Sequence, residues 1–300
     1  MRAPPRLPRT LALALLLACA GCGERGEPAA VPPGPAAPAT QATPPAPVAY
    51  DAPVRAAFAR LLAGGGWRAA GPQPAGRLAA VHAQSGLTFV LVPAGDIRPG
   101  APRGEPGRQD DEEPASAPVH VPAFLLCTTE CTEAAWRAVL GTAPALSRGA
   151  QMPVEQVSWD DSQAFCRAAG LRLPGEAEWE HACRAGGRTR WSHGDDEAGL
   201  AAHAWTREVA GGTAHPVALK QPNGWGLHDM HGNVWEWCQD GYGPYGAPAG
   251  ADGPAPAARV LRGGCWDNPA AWARAASRSK LPPGSRYPGF GVRPACSLPG

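Results

Sequence analysis

The sequence predicts a single mixed helix-and-strand (α+β) domain, low in regular secondary structure and held together by turns. Three observations lead there. Glycine and proline number 38 and 36 in a chain of 300 residues, a content that breaks long elements. Eleven tryptophans nevertheless fall between Trp67 and Trp272 and mark a real core. Between them, short apolar runs alternate with stretches that carry helix-capping residues. The formal net charge is +1, so electrostatics gives no reason to expect nucleic acid as a partner. The basic residues are nearly all arginine, Lys220 and Lys280 being the only lysines, which reads as composition before function.

The first segment, residues 1–21, reads as an export signal. Arg2, Arg6 and Arg9 precede a short apolar run, Leu11 to Ala18, too short for a bilayer, which needs about 20 apolar residues. The run ends Leu16-Leu17-Ala18-Cys19, then Ala20-Gly21-Cys22. It resembles a bacterial lipobox, with Cys19 or Cys22 as the lipidated residue. The expectation is an exported lipoprotein, membrane-anchored and facing the periplasm or the cell surface. Residues 22–50 are mainly Pro, Ala, Gly and Thr and predict a disordered tether reaching roughly 85 Å.

Residues 51–86 predict a short helical appendage. Asp51 can cap a helix to Ala63, Pro53 suits its first turn, and Gly64 to Gly66 stop it. The main domain is assigned to residues 87–297. Leu87–Val92 and Val119–Cys127 are strand candidates, with a polar, solvated loop (Arg98–Ala117) between them. Thr132 can cap a helix from Glu133 to Leu140, and Ser158 one from Trp159 to Ala169. Gly175 to Arg184 is a third helix whose early glutamates complement its dipole. Short strands and glycine turns follow Arg190.

No nucleophile elbow and no phosphate-cradling glycine loop occurs. His228 and His231 are three apart, but no third ligand matches them, so a turn with exposed imidazoles is expected. Asp229, Asn233 and Glu236 crowd oxygen atoms around Gly232, a pattern that suits Ca²⁺. Seven cysteines lie beyond the lipobox: Cys127, Cys131, Cys166, Cys183, Cys238, Cys265 and Cys296. An exported location permits disulfides, and an odd number leaves at least one thiol unpaired. Cys127 and Cys131 could ligate a metal at their spacing but read as buried or bridged.

Several longer strings occur in order. They are Val-Glu-Gln-Val-Ser-Trp (154–159) and Leu-Arg-Leu-Pro-Gly-Glu-Ala-Glu-Trp (171–179). Pro-Asn-Gly-Trp-Gly-Leu follows (222–227), then Gly-Asn-Val-Trp-Glu-Trp (232–237) and Arg-Val-Leu-Arg-Gly-Gly-Cys-Trp (259–266), with Gly289-Phe290 leading to Arg293. Together they resemble the formylglycine-generating enzyme, or sulfatase-modifying factor, family. The resemblance implies a C-type-lectin-like fold. It also implies a calcium site at Asp229, Gly232, Val234 and Glu236, and a disulfide between Cys166 and Cys296. The usual partner of Cys183 falls near Ala275, so Cys183 is expected free or re-paired, for instance with Cys265.

Family members that make formylglycine hold copper(I) between two cysteines just after Arg-Gly-Gly-Ser, linear thiolate ligation suiting that soft ion. Here Cys265 takes the serine's place and no cysteine follows before Cys296, so copper is not expected. The favoured expectation is a calcium-stabilised binding or maturation module of the cell envelope. A groove with Trp235, Trp266 and Trp272 would take an envelope peptide, protein or glycan. The alternative is a divergent periplasmic oxidase acting on a cysteine-containing peptide or a siderophore precursor. Cys265 would be its catalytic residue, beside His228 or His231.

Overall fold

The computed structural model describes residues 47–142, 148–245 and 257–300. The export signal, Cys19, Cys22 and most of the tether lie outside the described residues. The described residues form one compact unit.

Helix α1 (Ala52–Ala63) has Pro53 in its first turn, and Asp51 precedes it without a side-chain cap bond. It buries Ala57 and Phe58. Strands β1 (Trp67–Ala69) and β2 (Ala79–His82) follow. They pair antiparallel with each other, and β2 pairs with β3 (Thr88–Val92). Residues 67–82 therefore belong to the main sheet and not to an appendage. Ala79-Ala80 carries weak strand propensity, so only the partner strand reveals it.

Val119–Cys127 is two strands and not one. Pro122 lacks the N–H a ladder needs. The chain breaks there into β5 (Val119–Val121), which pairs with β4 (Gly95–Ile97), and β6 (Phe124–Cys127), which pairs with β3. The larger sheet has the order β1-β2-β3-β6-β11, where β11 is Ala295–Ser297. Alternate residues point to opposite faces of a strand. Phe89, Leu91 and Leu125 enter one apolar cluster, while Val90, Val92 and Leu126 enter another. Both faces of this sheet are covered, which is why these strands are apolar without alternation.

Helix α2 (Glu133–Leu140) is capped by Thr132, whose Oγ1 accepts from Ala135 N at 3.2 Å. Helix α3 (Trp159–Ala168) has a reciprocal cap. Asp161 N donates to Ser158 Oγ (3.1 Å) and Ser158 N to Asp161 Oδ2 (2.9 Å). Each cap is worth about 1 kcal/mol. Trp136 stacks on Phe165 at 5.0 Å and joins the two helices.

Gly175 offers no side chain to cap helix α4 (Glu176–Arg184); Asp240 accepts from Glu176 N at 2.7 Å instead. Glu176 and Glu180 do more than favour the dipole. Both are buried, and Arg262 bonds both, at 3.0 and 2.7 Å. Glu112, in the loop expected to be solvated, is also fully buried and pairs with Arg274 at 2.7 Å.

The second sheet has the order β10-β7-β8-β9, with β7 Trp235–Gly241, β8 Arg259–Arg262, β9 Arg278–Leu281 and β10 Phe290–Gly291. Only β10, of these, runs parallel to its neighbour. The last residues thus serve both sheets: β10 in one, β11 in the other.

Candidate functional site

Strand β8 ends at Arg262, and Gly263 and Gly264 turn the chain with φ of 98° and 77°. A Cβ at Gly264 would meet the Trp272 carbonyl oxygen at 2.9 Å, so glycine is required. This turn delivers Cys265 to Asn268. Asn268 Oδ1 accepts from Cys265 N (3.1 Å), from the Cys265 thiol (3.3 Å) and from Trp235 Nε1 (2.7 Å). Burial pushes the thiol up to about 12, so it is a neutral donor. Glu155 closes the corner from another segment, accepting from Trp266 Nε1 (3.0 Å) and Gly289 N (2.8 Å).

The three tryptophans do not line a groove together. Trp235 is buried and supports Trp272 edge-on at 6.1 Å. Trp272 is 40 % exposed, Trp266 is half-buried, and Tyr287 nearby in sequence to Gly289 is 49 % exposed. Each of these three rings therefore leaves some aromatic surface open to solvent. Three cavities, at other places in the fold, have none of these tryptophans in their walls.

Neither expected histidine meets Cys265. His228 Nδ1 donates to Lys220 O (2.9 Å). His231 is buried rather than exposed. Its Nδ1 donates to Ala273 O (2.7 Å) and its Nε2 accepts from Ser192 N (3.0 Å), which fixes the neutral tautomer. Burial pulls it down to about 3. The thiol beside it is Cys183, at 3.8–3.9 Å. Cys183 and Cys265 belong to different core clusters, so they are not a pair. All seven cysteines among the described residues are free thiols, Cys166 and Cys296 included. Those two pack into the same cluster without an S–S bond; the Cys296 thiol donates to Ser297 O at 3.3 Å.

The turn before β7 is tightly wound. Asp229, Gly232 and Asn233 have φ of 57°, 92° and 60°, and a Cβ at Gly232 would lie 2.1 Å from Trp205 O. Asp229 Oδ2 accepts from Ala218 N (2.7 Å), while its Oδ1 is buried with no partner among the described residues. Glu236 is not available as expected. Arg293 binds it through Nε (2.9 and 3.0 Å) and Nη2 (2.7 Å), and Trp179 Nε1 adds a 2.5 Å bond.

A third carboxylate, Glu130, was not singled out from the sequence. It is fully buried and accepts from Asn233 Nδ2 (3.1 Å) and Val234 N (3.3 Å). Its one sequence signal is an acid set between the apolar run Phe124–Cys127 and Cys131. Burial, and then the neighbouring Asp229, raise Glu130 well above the ordinary carboxyl range; burial also raises Asp229. Three buried carboxylates thus face one buried guanidinium. The oxygens a hard cation could take here are those of Asp229 and Glu130, since Arg293 holds Glu236; no cluster of three or more metal-ligating side chains occurs among the described residues. At Cys265 the donors are one thiol and one carboxamide oxygen, which do not fit copper(I).

The family model "Sulfatase-modifying factor enzyme 1-like domain" matches residues 75–298. The formylglycine-generating enzyme of Streptomyces coelicolor is 39 % identical over 179 residues, 53 % of this chain and 57 % of that enzyme. The chain therefore spans little more than half the length of this relative. Among solved structures, Treponema denticola variable protein 1 superposes with a TM-score of 0.64 at 27 % identity, covering 74 % of this chain and 99 % of that one. PvdO of Pseudomonas aeruginosa gives 0.64 and 27 %, covering 72 % and 96 %.

Proposed function

Since the chain belongs to the sulfatase-modifying factor family yet holds a single thiol at its Arg-Gly-Gly corner, we propose that it is a binding module rather than a formylglycine generator. The observation that carries this reading is Cys265. Its proton is donated to Asn268, its side chain is buried, and no second cysteine stands near it in sequence. The two-thiolate ligation that copper(I) favours is missing at this corner.

What the corner offers instead is the solvent-open aromatic surface of Trp272, Trp266 and Tyr287. Exposed aromatic rings on a fixed scaffold are effective anchors for peptides, proteins and sugars. We assign that surface to a partner in the cell envelope, reached from an N-terminal lipid anchor at Cys19 or Cys22. Calcium, held by Asp229 and Glu130, would brace the turn that precedes Trp235.

The test is direct. The full chain is incubated with copper(I), O₂ and a cysteine-bearing sulfatase-type peptide, and the peptide mass is followed. No conversion is expected, with the Cys265→Ser protein behaving identically. Conversion that Cys265→Ser abolishes would make the protein an oxidase and overturn this reading.

A further inference from the structure

We propose that the cavity between the β4 loop and the end of α4 is a binding site for a small molecule carrying a carboxylate on an apolar body. The cavity holds about 320 Å³, at the lower end of the size range of small-ligand sites. It shares no residue with the Cys265 corner and does not depend on the function assigned to that corner.

Its walls are fixed. Gly100, with φ of 108°, cannot carry a side chain, since a Cβ would lie 2.7 Å from Glu112 O. Gly100 N donates to Glu180 Oε1 (3.0 Å), and its carbonyl accepts from Arg184 (3.1 Å). Arg184 also donates to Glu180 (2.9 Å) and Thr189 O (3.1 Å), so its guanidinium is part of the wall. Ile97, Pro102 and Pro114 supply apolar surface. His181 is buried against Trp225 with ring centroids 4.9 Å apart. Its Nε2 donates to Pro93 O at 2.9 Å, which leaves Nδ1 as a bare acceptor.

Two further groups line the cavity without being needed by the fold. Arg98 and Arg188 are exposed and bond nothing among the described residues. That both are arginine carries no weight in this chain; that both lack a partner does. Two negative features oppose them. Asp96 lines the cavity and its Oδ1 accepts a hydrogen bond from His120 Nδ1 at 2.7 Å. The carboxyl end of α4 adds roughly half a negative charge. Two whole positive charges outweigh these, so the mouth attracts anions. A guanidinium recognises a carboxylate in plane, and the apolar wall takes the body behind it.

The test uses the full chain and three probes of one shape: 4-phenylbutyrate, 4-phenylbutan-1-ol and 4-phenylbutylamine. Binding is read by titration calorimetry and located by backbone amide shifts of Gly100, Gly186 and Gly187. The carboxylate is expected to bind in the millimolar range or tighter, above the alcohol and far above the amine. The Arg98→Ser/Arg188→Ser protein, altered only at exposed unbonded side chains, is expected to bind it at least ~10-fold more weakly. It should bind the alcohol unchanged. The proposal is overturned if the amine binds as well as the carboxylate. It is equally overturned if the double variant keeps full carboxylate affinity, or if no probe binds at those glycines.

Discussion

Replacing Arg293 by methionine tests the reading that one guanidinium holds three buried carboxylates in place. Arg293 is fully buried. It makes the contacts with Glu236 given above and also donates to Cys127 O (3.0 Å) and His228 O (2.8 Å). Methionine fills much of the volume but donates nothing. Glu236 is then left with the Trp179 indole as its remaining donor, while Glu130 and Asp229 stay in the same interior. Breaking a buried pair from one side costs about 3–5 kcal/mol, against total stabilities of about 5–15 kcal/mol. For a domain this size that is a fall of about 6–20 °C in Tm. Urea unfolding of wild type, Arg293→Met, Glu236→Gln and the double variant forms a closed cycle. The double variant should recover part of the loss, because the stranded charge is gone. A loss below about 1 kcal/mol in Arg293→Met, or a double variant weaker than either single one, would refute the reasoning.

Three other outcomes follow from the same geometry. Added Ca²⁺ should raise the unfolding free energy by about 2.7 kcal/mol at a hundredfold excess over its dissociation constant, seen as a higher urea midpoint. Asp229→Asn should remove that gain, and an unchanged midpoint in wild type argues against the site. Cys265, pushed up to about 12 by burial, should be roughly one part in 10⁴ thiolate at pH 8. Iodoacetamide should therefore label it only on unfolding, and faster in Asn268→Ala; prompt labelling of the folded wild type contradicts the assignment. Asp161 gives a pH dependence. Partial burial raises its pKa, but hydrogen bonds from Arg286 and Ser158 outweigh this and hold it below the usual value. A depressed carboxyl stabilises the fold above the unfolded pKa and stops doing so as pH falls through the folded one. The stability gap between wild type and Asp161→Asn should thus be full at pH 6 and shrink below about pH 4. A gap that does not change with pH would contradict this.

What the sequence made legible was local. Thr132, Ser158 and Gly175 sit at helix starts, and the signals that found them act within four residues. Strand β3 stood out because both its faces are apolar. The Pro122 break was missed, although a proline interior to a strand pattern argues for a division. The rest depended on partners far along the chain. Ala79–His82 becomes a strand only beside Thr88–Val92. Glu112 and Arg274 lie 162 residues apart, and nothing in either neighbourhood announces the other. Glu130 lay unnoticed for the same reason: an isolated acid shows its burial only when Asn233 and Val234 arrive. At Cys265 the missing second cysteine was plain in the sequence. The hydrogen bond that fixes its thiol was not, although Asn268 is three residues away, because no capping or turn rule predicts a side-chain acceptor for a thiol.

The placement of the last strands bears on how the chain reaches its fold. Phe290–Gly291 completes one sheet, Ala295–Ser297 the other, and Arg293 between them carries the counter-charge for Glu236. A chain emerging from the ribosome amino end first therefore has all its other elements before it has its latch. Until then each sheet lacks an edge strand, and three acids share an interior without the guanidinium of Arg293. Closure is a late, long-range event, of the kind that makes folding slow and all-or-none. A chain shortened by a dozen residues at its carboxyl end would stay open, with nothing to close either sheet.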